Sequence, residues 1–373
     1  MFGRVFGWSG TAGLWRVVLS TWGRIQGRTD RSGRGRIGGI PTKEIPEALL
    51  RIAESQEGLL SWAQCRTAGT DQRQIHRLIG SGRWSAVLRG VYDTDPTPPD
   101  RRRRDDYLDH VRRRDAWTAI LAYTDGIGVG QVALTMWHVQ GLPRDIVREI
   151  SRERRRKAPG RGGVVVRQYR GFETFRLIRG SGPGCLVAGA PDAIVQALPG
   201  LPMPHAVAVL SNALHQQIVP AFELDRIRTA LAGRRGGVRA LQAVDLASGA
   251  DESPAESFAR LSLIEHAVPP DRVQVTFRLG GRVIARCDFA WYLPGDRWFV
   301  VEIDGLGPHS KAEALVRDAP RQNAVLGTGK VLMLRFAPVQ NERPGGIGRE
   351  VAERLRALGW HPATGVPQGD IHL

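Results

Sequence analysis

From Ile45 onward, apolar residues recur at a helical period. Ile45, Leu49, Ile52 and Ala53 follow Thr42, a helix cap, and Pro46 suits a first turn. Leu59 to Cys65 predicts a short second helix that Gly69 breaks, and Thr70 or Asp71 caps a third running through Ile75, Leu78 and Ile79 to Gly80. Trp84 to Tyr92 then reads as two short strands bent at Arg89-Gly90.

Helix, turn, helix and hairpin together predict a winged helix-turn-helix over residues 43–96. Gln72, Arg73, His76 and Arg77 fall on the open side of its third helix, with Arg83 and Arg89 flanking the wing. These side-chain types suit base edges and phosphates. A solvated helical face, or a wing that binds protein, has the same pattern.

After Pro96, Pro98 and Pro99 and the run Arg101 to Arg104, the pattern becomes helical again from Asp105 to Tyr123, so a linker leads into a middle α/β unit over residues 105–249. In it, Val164 to Tyr169 and Glu173 to Leu177 read as strands; Ala190 to Leu198, Pro204 to Gln216 and Glu223 to Leu231 read as helices. No catalytic constellation stands out there. Arg152 to Lys157 is a solvated charge run or a phosphate track, and His138 and His215 sit on apolar helical patterns as packed or capped residues.

The C-terminal third alternates at the strand period. Ser253 caps a helix with Pro254 in its first position and Glu256 in its first turn. Val273 to Leu279, Val283 to Tyr292 and Trp298 to Ile303 form an antiparallel meander with turns at Gly280-Gly281 and Pro294-Gly295-Asp296. Another helix starts at Ser310, and Lys330 to Phe336 is a further strand.

Asp288 stands seven residues before Gly295 and Glu302 seven after it, so a symmetric hairpin sets them face to face. Opposed carboxylates at cross-strand distance repel unless something neutralises them. Asp304 shares the face of Glu302 by alternation, and Glu256 reaches it from the helix, so this spacing points to Mg²⁺ or Mn²⁺. An exposed acidic sheet face, or a register slipped by one residue that separates the pair, is the alternative.

Composition narrows the classes. Lys plus Arg number 53 against 37 Asp plus Glu, a formal charge of +16, which attracts phosphate backbones unless the arginines are only solvated charge. Residues 1–42, rich in Gly and Arg without an apolar period, read as a disordered basic arm, either a DNA-contacting tail or the product of a misassigned start codon. Cys65, Cys185 and Cys287 are too scattered for a disulfide framework or a zinc site, in keeping with a reducing cytoplasm. No apolar run is long enough for a membrane span.

Several of these pieces together resemble a known family. Ser253-Pro254-x-Glu256, Arg286-Cys287-Asp288-Phe289-Ala290-Trp291, Val301-Glu302-Ile303-Asp304-Gly305 with His309, and Asp318 with Arg321-Gln322-Asn323 before Val331-Leu332 resemble bacterial PD-(D/E)xK domains close to very-short-patch-repair endonucleases. The resemblance implies a restriction-endonuclease-like domain over residues 250–362, with a mixed central sheet and a tail at 363–373. It implies Asp288 and Glu302 as metal ligands, Asp304 where that superfamily usually has lysine, His309 as an acid or base, and Asp318 and Arg321 nearby. Pro308 stands where the family commonly has a second histidine, and Pro320 falls inside a helix that proline kinks or ends. The N-terminal unit with His138-Val-Gln-Gly141-Leu-Pro143 resembles the AbiEi-like antitoxin family.

The expectation is thus an α+β multidomain, cytoplasmic, DNA-binding protein with a metal-dependent endonuclease domain. The rival expectation is an antitoxin-like transcriptional repressor with a cognate toxin and a catalytically degenerate nuclease fold. A third reading, in which the basic field serves RNA or a protein, lacks any recognisable RNA-reading aromatic motif.

Overall fold

The computed structural model describes residues 45–95, 97, 101–102, 107–152, 160–179, 182–304, 326–343, 345–362 and 365–373, and the backbone of 15–17. The chain is a mixed α+β protein in two units, Met1–His138 with Arg144–Gln196, and Val139–Pro143 with Ala197–Leu373.

In the first unit, strand β1 (Trp15–Val17) is followed by helix α1 (Glu47–Ser55), β2 (Leu59–Ser61), α2 (Trp62–Thr67), α3 (Gln72–Gly80), β3 (Ser85–Leu88) and β4 (Val91–Asp93). Leu49, Ala53, Leu60, Cys65, Ile75, Leu78 and Trp84 form the core of this N-terminal part. The second helix is shorter than the sequence predicts, because Leu59–Ser61 pairs with β4 and Ser61 caps α2. The Ser61 hydroxyl accepts from Gln64 N (3.2 Å) while the Gln64 side chain accepts from Ser61 N (2.8 Å), which fixes where the helix begins. Asp71 caps α3 by accepting from Gln74 N at 2.7 Å.

The rest of the unit comprises α4 (Tyr107–Leu121), β5 (Gly126–Gly128), α5 (Gly130–Met136), β6 (Glu149–Arg152), β7 (Val165–Val166), β8 (Thr174–Arg179), β9 (Cys185–Ala188) and α6 (Ala190–Ala197). Its six-stranded sheet runs β1-β8-β9-β5-β6-β7. Trp15–Val17, expected within a disordered arm, pairs antiparallel with β8; Trp15 and Val17 are of the aromatic and β-branched types that favour strands.

The proline-rich stretch after β4 is a weaker boundary than a linker implies. Two acidic residues of the N-terminal part are tied to the segment beyond it. Glu57 accepts from Arg113 Nε at 2.6 Å and meets His110 Nδ1 at 2.5 Å, while Asp93 Oδ2 accepts from Arg102 (2.6 Å) and Arg114 (2.8 Å). Glu57, Asp93, His110, Arg113 and Arg114 are all buried.

The second unit holds α7 (Met203–His215), α8 (Leu224–Leu231), α9 (Gly237–Leu246), α10 (Pro254–Glu265), β10 (Arg272–Leu279), β11 (Arg282–Leu293), β12 (Arg297–Ile303), β13 (Val331–Phe336), α11 (Gly348–Ala357) and β14 (Ile371–His372). The expected boundary at residue 249 is not where the chain divides. Ser248 N donates to Ser211 Oγ at 2.9 Å and Arg260 donates to Leu246 O at 2.7 Å, so helices α7–α9 belong with α10 and the C-terminal sheet. Gly141 belongs to this unit too. Its φ is +91°, and a Cβ there would lie 2.9 Å from the Ala208 carbonyl carbon and Val209 N, so only glycine fits.

The C-terminal sheet runs β13-β12-β11-β10-β14, antiparallel through the meander and parallel at β12–β13 and β10–β14. It is therefore mixed. Residues 371–372, expected in a tail, add its edge strand beside Phe277 and Arg278. One core packs Ala259, Leu263, Phe289, Trp291, Phe299, Val301 and Val351 together; a second joins Val275, Phe277, Cys287, Ala290, Trp298 and Val300.

Candidate functional site

The helical end of the site is set by capping. Glu256 N donates to Ser253 Oγ (3.2 Å), the Ser253 hydroxyl donates back to Glu256 Oε1 (2.8 Å), and Glu252 N donates to Glu256 Oε2 (2.9 Å). The carboxylate of Glu256 is thereby fixed in the first turn of α10, and it is buried. Burial raises its pKa; the Glu252 N–H opposes that shift and the nearby Asp288 charge adds to it.

The hairpin register puts the second carboxylate in place. β11 and β12 pair at Leu293↔Arg297, Tyr292↔Trp298 and onward to Phe289↔Val301, so the next rung would set Asp288 against Glu302. There the Asp288 side chain takes over the ladder, its Oδ2 accepting from Ile303 N at 2.7 Å. Its carboxyl is pushed up to about 6, chiefly by burial; the Ile303 N–H pulls it down, while the charge of Glu302 raises it further. Across β10, the Gln274 amide donates to Glu256 Oε2 (2.9 Å) and Asp288 Oδ1 (3.3 Å).

Glu302 and Asp304 share a partner of their own. Ile303 packs against the first core, so alternation turns Glu302 to the other face. There the Cys287 thiol contacts Glu302 Oε1 at 3.7 Å. Arg335, on the β13 rung beside Glu302, lies 3.4 Å from Glu302 Oε2 and donates to Asp304 Oδ1 at 2.7 and 3.1 Å. Hydrogen bonds and ion pairs thus join Glu256 to Asp288 through an amide and Glu302 to Asp304 through a guanidinium, and the charge of Glu302 also reaches Asp288.

Among the described residues no three His, Cys, Asp or Glu side chains group closely enough to cage a metal. The donor set of Glu256 and Asp288 nevertheless fits Mg²⁺ or Mn²⁺, because Mg²⁺ is commonly held by one or two carboxylates and keeps several waters.

In the N-terminal part, α3 buries Gln74, Ile75 and Leu78 and exposes Gln72, Arg73, His76 and Arg77 together on one face. Arg83 and Arg89 are exposed at the two ends of the β3 segment. Val87, also exposed, lies between them.

No family model matches the chain. Two uncharacterized Mycobacterium tuberculosis proteins, from strains CDC 1551 / Oshkosh and ATCC 25618 / H37Rv, are each 29% identical over 193 residues, 52% of this chain and 68% of theirs.

His309, Asp318 and Arg321 lie outside the described residues, as do Arg103, Arg104 and residues 153–157. Gln274 was not singled out by sequence reasoning, and Arg335 entered only as part of the strand Lys330 to Phe336, with no role given to it. A charged residue inside the apolar run Val331–Phe336 was the available signal for Arg335. For Gln274 there was only its place between Val273 and Val275, which any solvent-facing strand residue shares. No helix among the described residues is long and apolar enough to cross a membrane.

Proposed function

We propose that the protein binds DNA through a winged helix at residues 43–96 and hydrolyses phosphodiesters at a metal-dependent, restriction-endonuclease-like site in its C-terminal sheet. The observation that carries this reading is Asp288, held where β11 leaves β12 and bridged by Gln274 to the capped Glu256. The chemistry a bound Mg²⁺ or Mn²⁺ supplies is neutralisation of charge on the phosphate and activation of water. Asp288 and Glu256 would hold the cation, and Ile303 N–H fixes the direction of the Asp288 carboxylate. Arg335 holds Glu302 and Asp304 beside it and brings positive charge to a neighbourhood where the resembled superfamily usually places lysine.

The arrangement of α3 supports DNA as the partner. Its exposed Gln, Arg and His side chains are the types that read base edges and phosphates, and the net charge of +16 favours a polyanion. Cys65, Cys185 and Cys287 are free and buried, in keeping with work in a reducing cytoplasm.

A second reading, an antitoxin-like repressor that meets a cognate toxin and keeps a degenerate nuclease fold, is favoured by one observation: Glu302 and Asp304 are already engaged by Arg335. Nicking of supercoiled plasmid by purified protein in Mg²⁺, Mn²⁺ or EDTA decides between them. Metal-dependent cutting that is lost in folded Asp288→Ala and Glu256→Ala establishes the nuclease. DNA binding without cutting on double-stranded, single-stranded and mismatched substrates establishes the repressor.

A further inference from the structure

Around one rung of the β10–β11 ladder the backbone departs from a regular strand. Val273 stands opposite Phe289 and Val275 opposite Cys287, so Gln274 faces Asp288. Gln274 has φ of +53°, a left-handed conformation that a residue with a Cβ adopts at a cost. The two strands also exchange faces here. Val273 and Phe289 pack with the first core, whereas Val275 and Cys287, two residues along each strand, pack with the second. Regular alternation would keep residues i and i+2 on one side.

The side chain at this irregular point is the one that bridges the carboxylates. Its Nε2 lies 2.9 Å from Glu256 Oε2 and 3.3 Å from Asp288 Oδ1. Two carboxylates drawn out of water separate or take up protons unless a donor stands between them. An amide suits that place in a site that later accepts a cation. It offers N–H groups without net charge, so withdrawing it leaves no buried ammonium or guanidinium to compete with the metal.

We propose that Gln274 is a positioning residue of the cation site, strained in its backbone so that its amide draws Glu256 and Asp288 to one point before any cation arrives. The proposal rests on the two-carboxylate metal reading above. It assigns the donor bridge to a residue on the first strand of the meander, not to a carboxylate.

Mn²⁺ binding to the full chain, without DNA, tests it by electron paramagnetic resonance or calorimetry, alongside the unfolding temperature in EDTA. Gln274→Gly accepts the positive φ and removes the amide. This variant should unfold at the same temperature as wild type or higher in EDTA, yet bind Mn²⁺ at least about tenfold more weakly, the scale on which orienting partners act. Gln274→Glu should bind Mn²⁺ more tightly than wild type and unfold earlier in EDTA, because it adds a third carboxylate to the pair. A merely structural glutamine would lower stability without changing metal affinity per folded molecule. Wild-type affinity in a folded Gln274→Gly protein overturns the proposal alone. Absence of Mn²⁺ binding in wild type overturns it together with the metal reading.

Discussion

Helix α3 turns Gln72, Arg73, His76 and Arg77 toward solvent, whereas the start of α10 and the β10–β12 meander draw Glu256 and Asp288 out of it. The first arrangement costs the fold little, since exposed charges keep their water and the helix is held by Ile75 and Leu78 on its other side. The second sets desolvation against function: each carboxylate needs a cap, a backbone N–H or an amide to remain where it is. The proposed recognition is thus placed where substitutions are cheap, and the proposed chemistry where they disturb a network.

The largest expected effect falls on the buried side of this contrast. Asp288→Ala should lower metal-dependent plasmid cleavage on the order of a hundredfold or more, with circular dichroism unchanged. A variant that cuts like wild type would remove the Glu256–Asp288 pair from the chemistry. Next comes a test of whether the N-terminal part is as undemanding as its surface suggests. Asp93→Ala leaves Arg102 and Arg114 without their shared carboxylate and should cost about 3–5 kcal/mol in a denaturant titration. A cost near zero would mean that this end tolerates loss of its buried ties as well.

On the exposed side, Arg73→Ala and Arg77→Ala should each weaken DNA binding roughly tenfold and flatten its salt dependence, while leaving the melting temperature in place. Unchanged affinity in both, measured by fluorescence anisotropy, would take DNA reading away from α3.

The smallest effect is a pH dependence. The Asp288 carboxyl ionises less readily folded than unfolded, so protonation favours the fold. Its stabilising contribution is complete in acid and is lost as pH rises from the usual value of 3.8 through about 6. In EDTA, Asp288→Asn should therefore gain melting temperature over wild type as pH rises through that range, and saturating Mn²⁺ should reverse the order. A difference that stays constant with pH would place the Asp288 pKa near its ordinary range.

Local codes made part of this legible. The Ser253-Pro254-x-Glu256 cap, the exposed face of α3 and the equal spacing of Asp288 and Glu302 about Gly295 each depend on neighbours within one element or one hairpin. The actual β11–β12 register keeps that spacing through Phe289↔Val301. What stayed hidden depends on distant partners. Odd-numbered residues of β10 and β11 read as one face, but the left-handed Gln274 lies where both strands change sides. Arg335 meets Glu302 only through the parallel pairing of β12 with β13. The helices from Met203 to Leu246 gave no sign in their periodicity of which neighbour they serve, and Ile371 was too short a signal to predict an edge strand.

The ties of Glu57 and Asp93 to His110, Arg102, Arg113 and Arg114 also bear on how this protein can be rearranged by recombination. A break at the proline-rich stretch would strand two acids on one product and their basic partners on the other. The smallest piece that can move to a new setting with its charges balanced therefore extends from the start of α1 to the end of α4. A descendant that shuffles the segment from α1 to β4 by itself would have to replace Glu57 and Asp93 first.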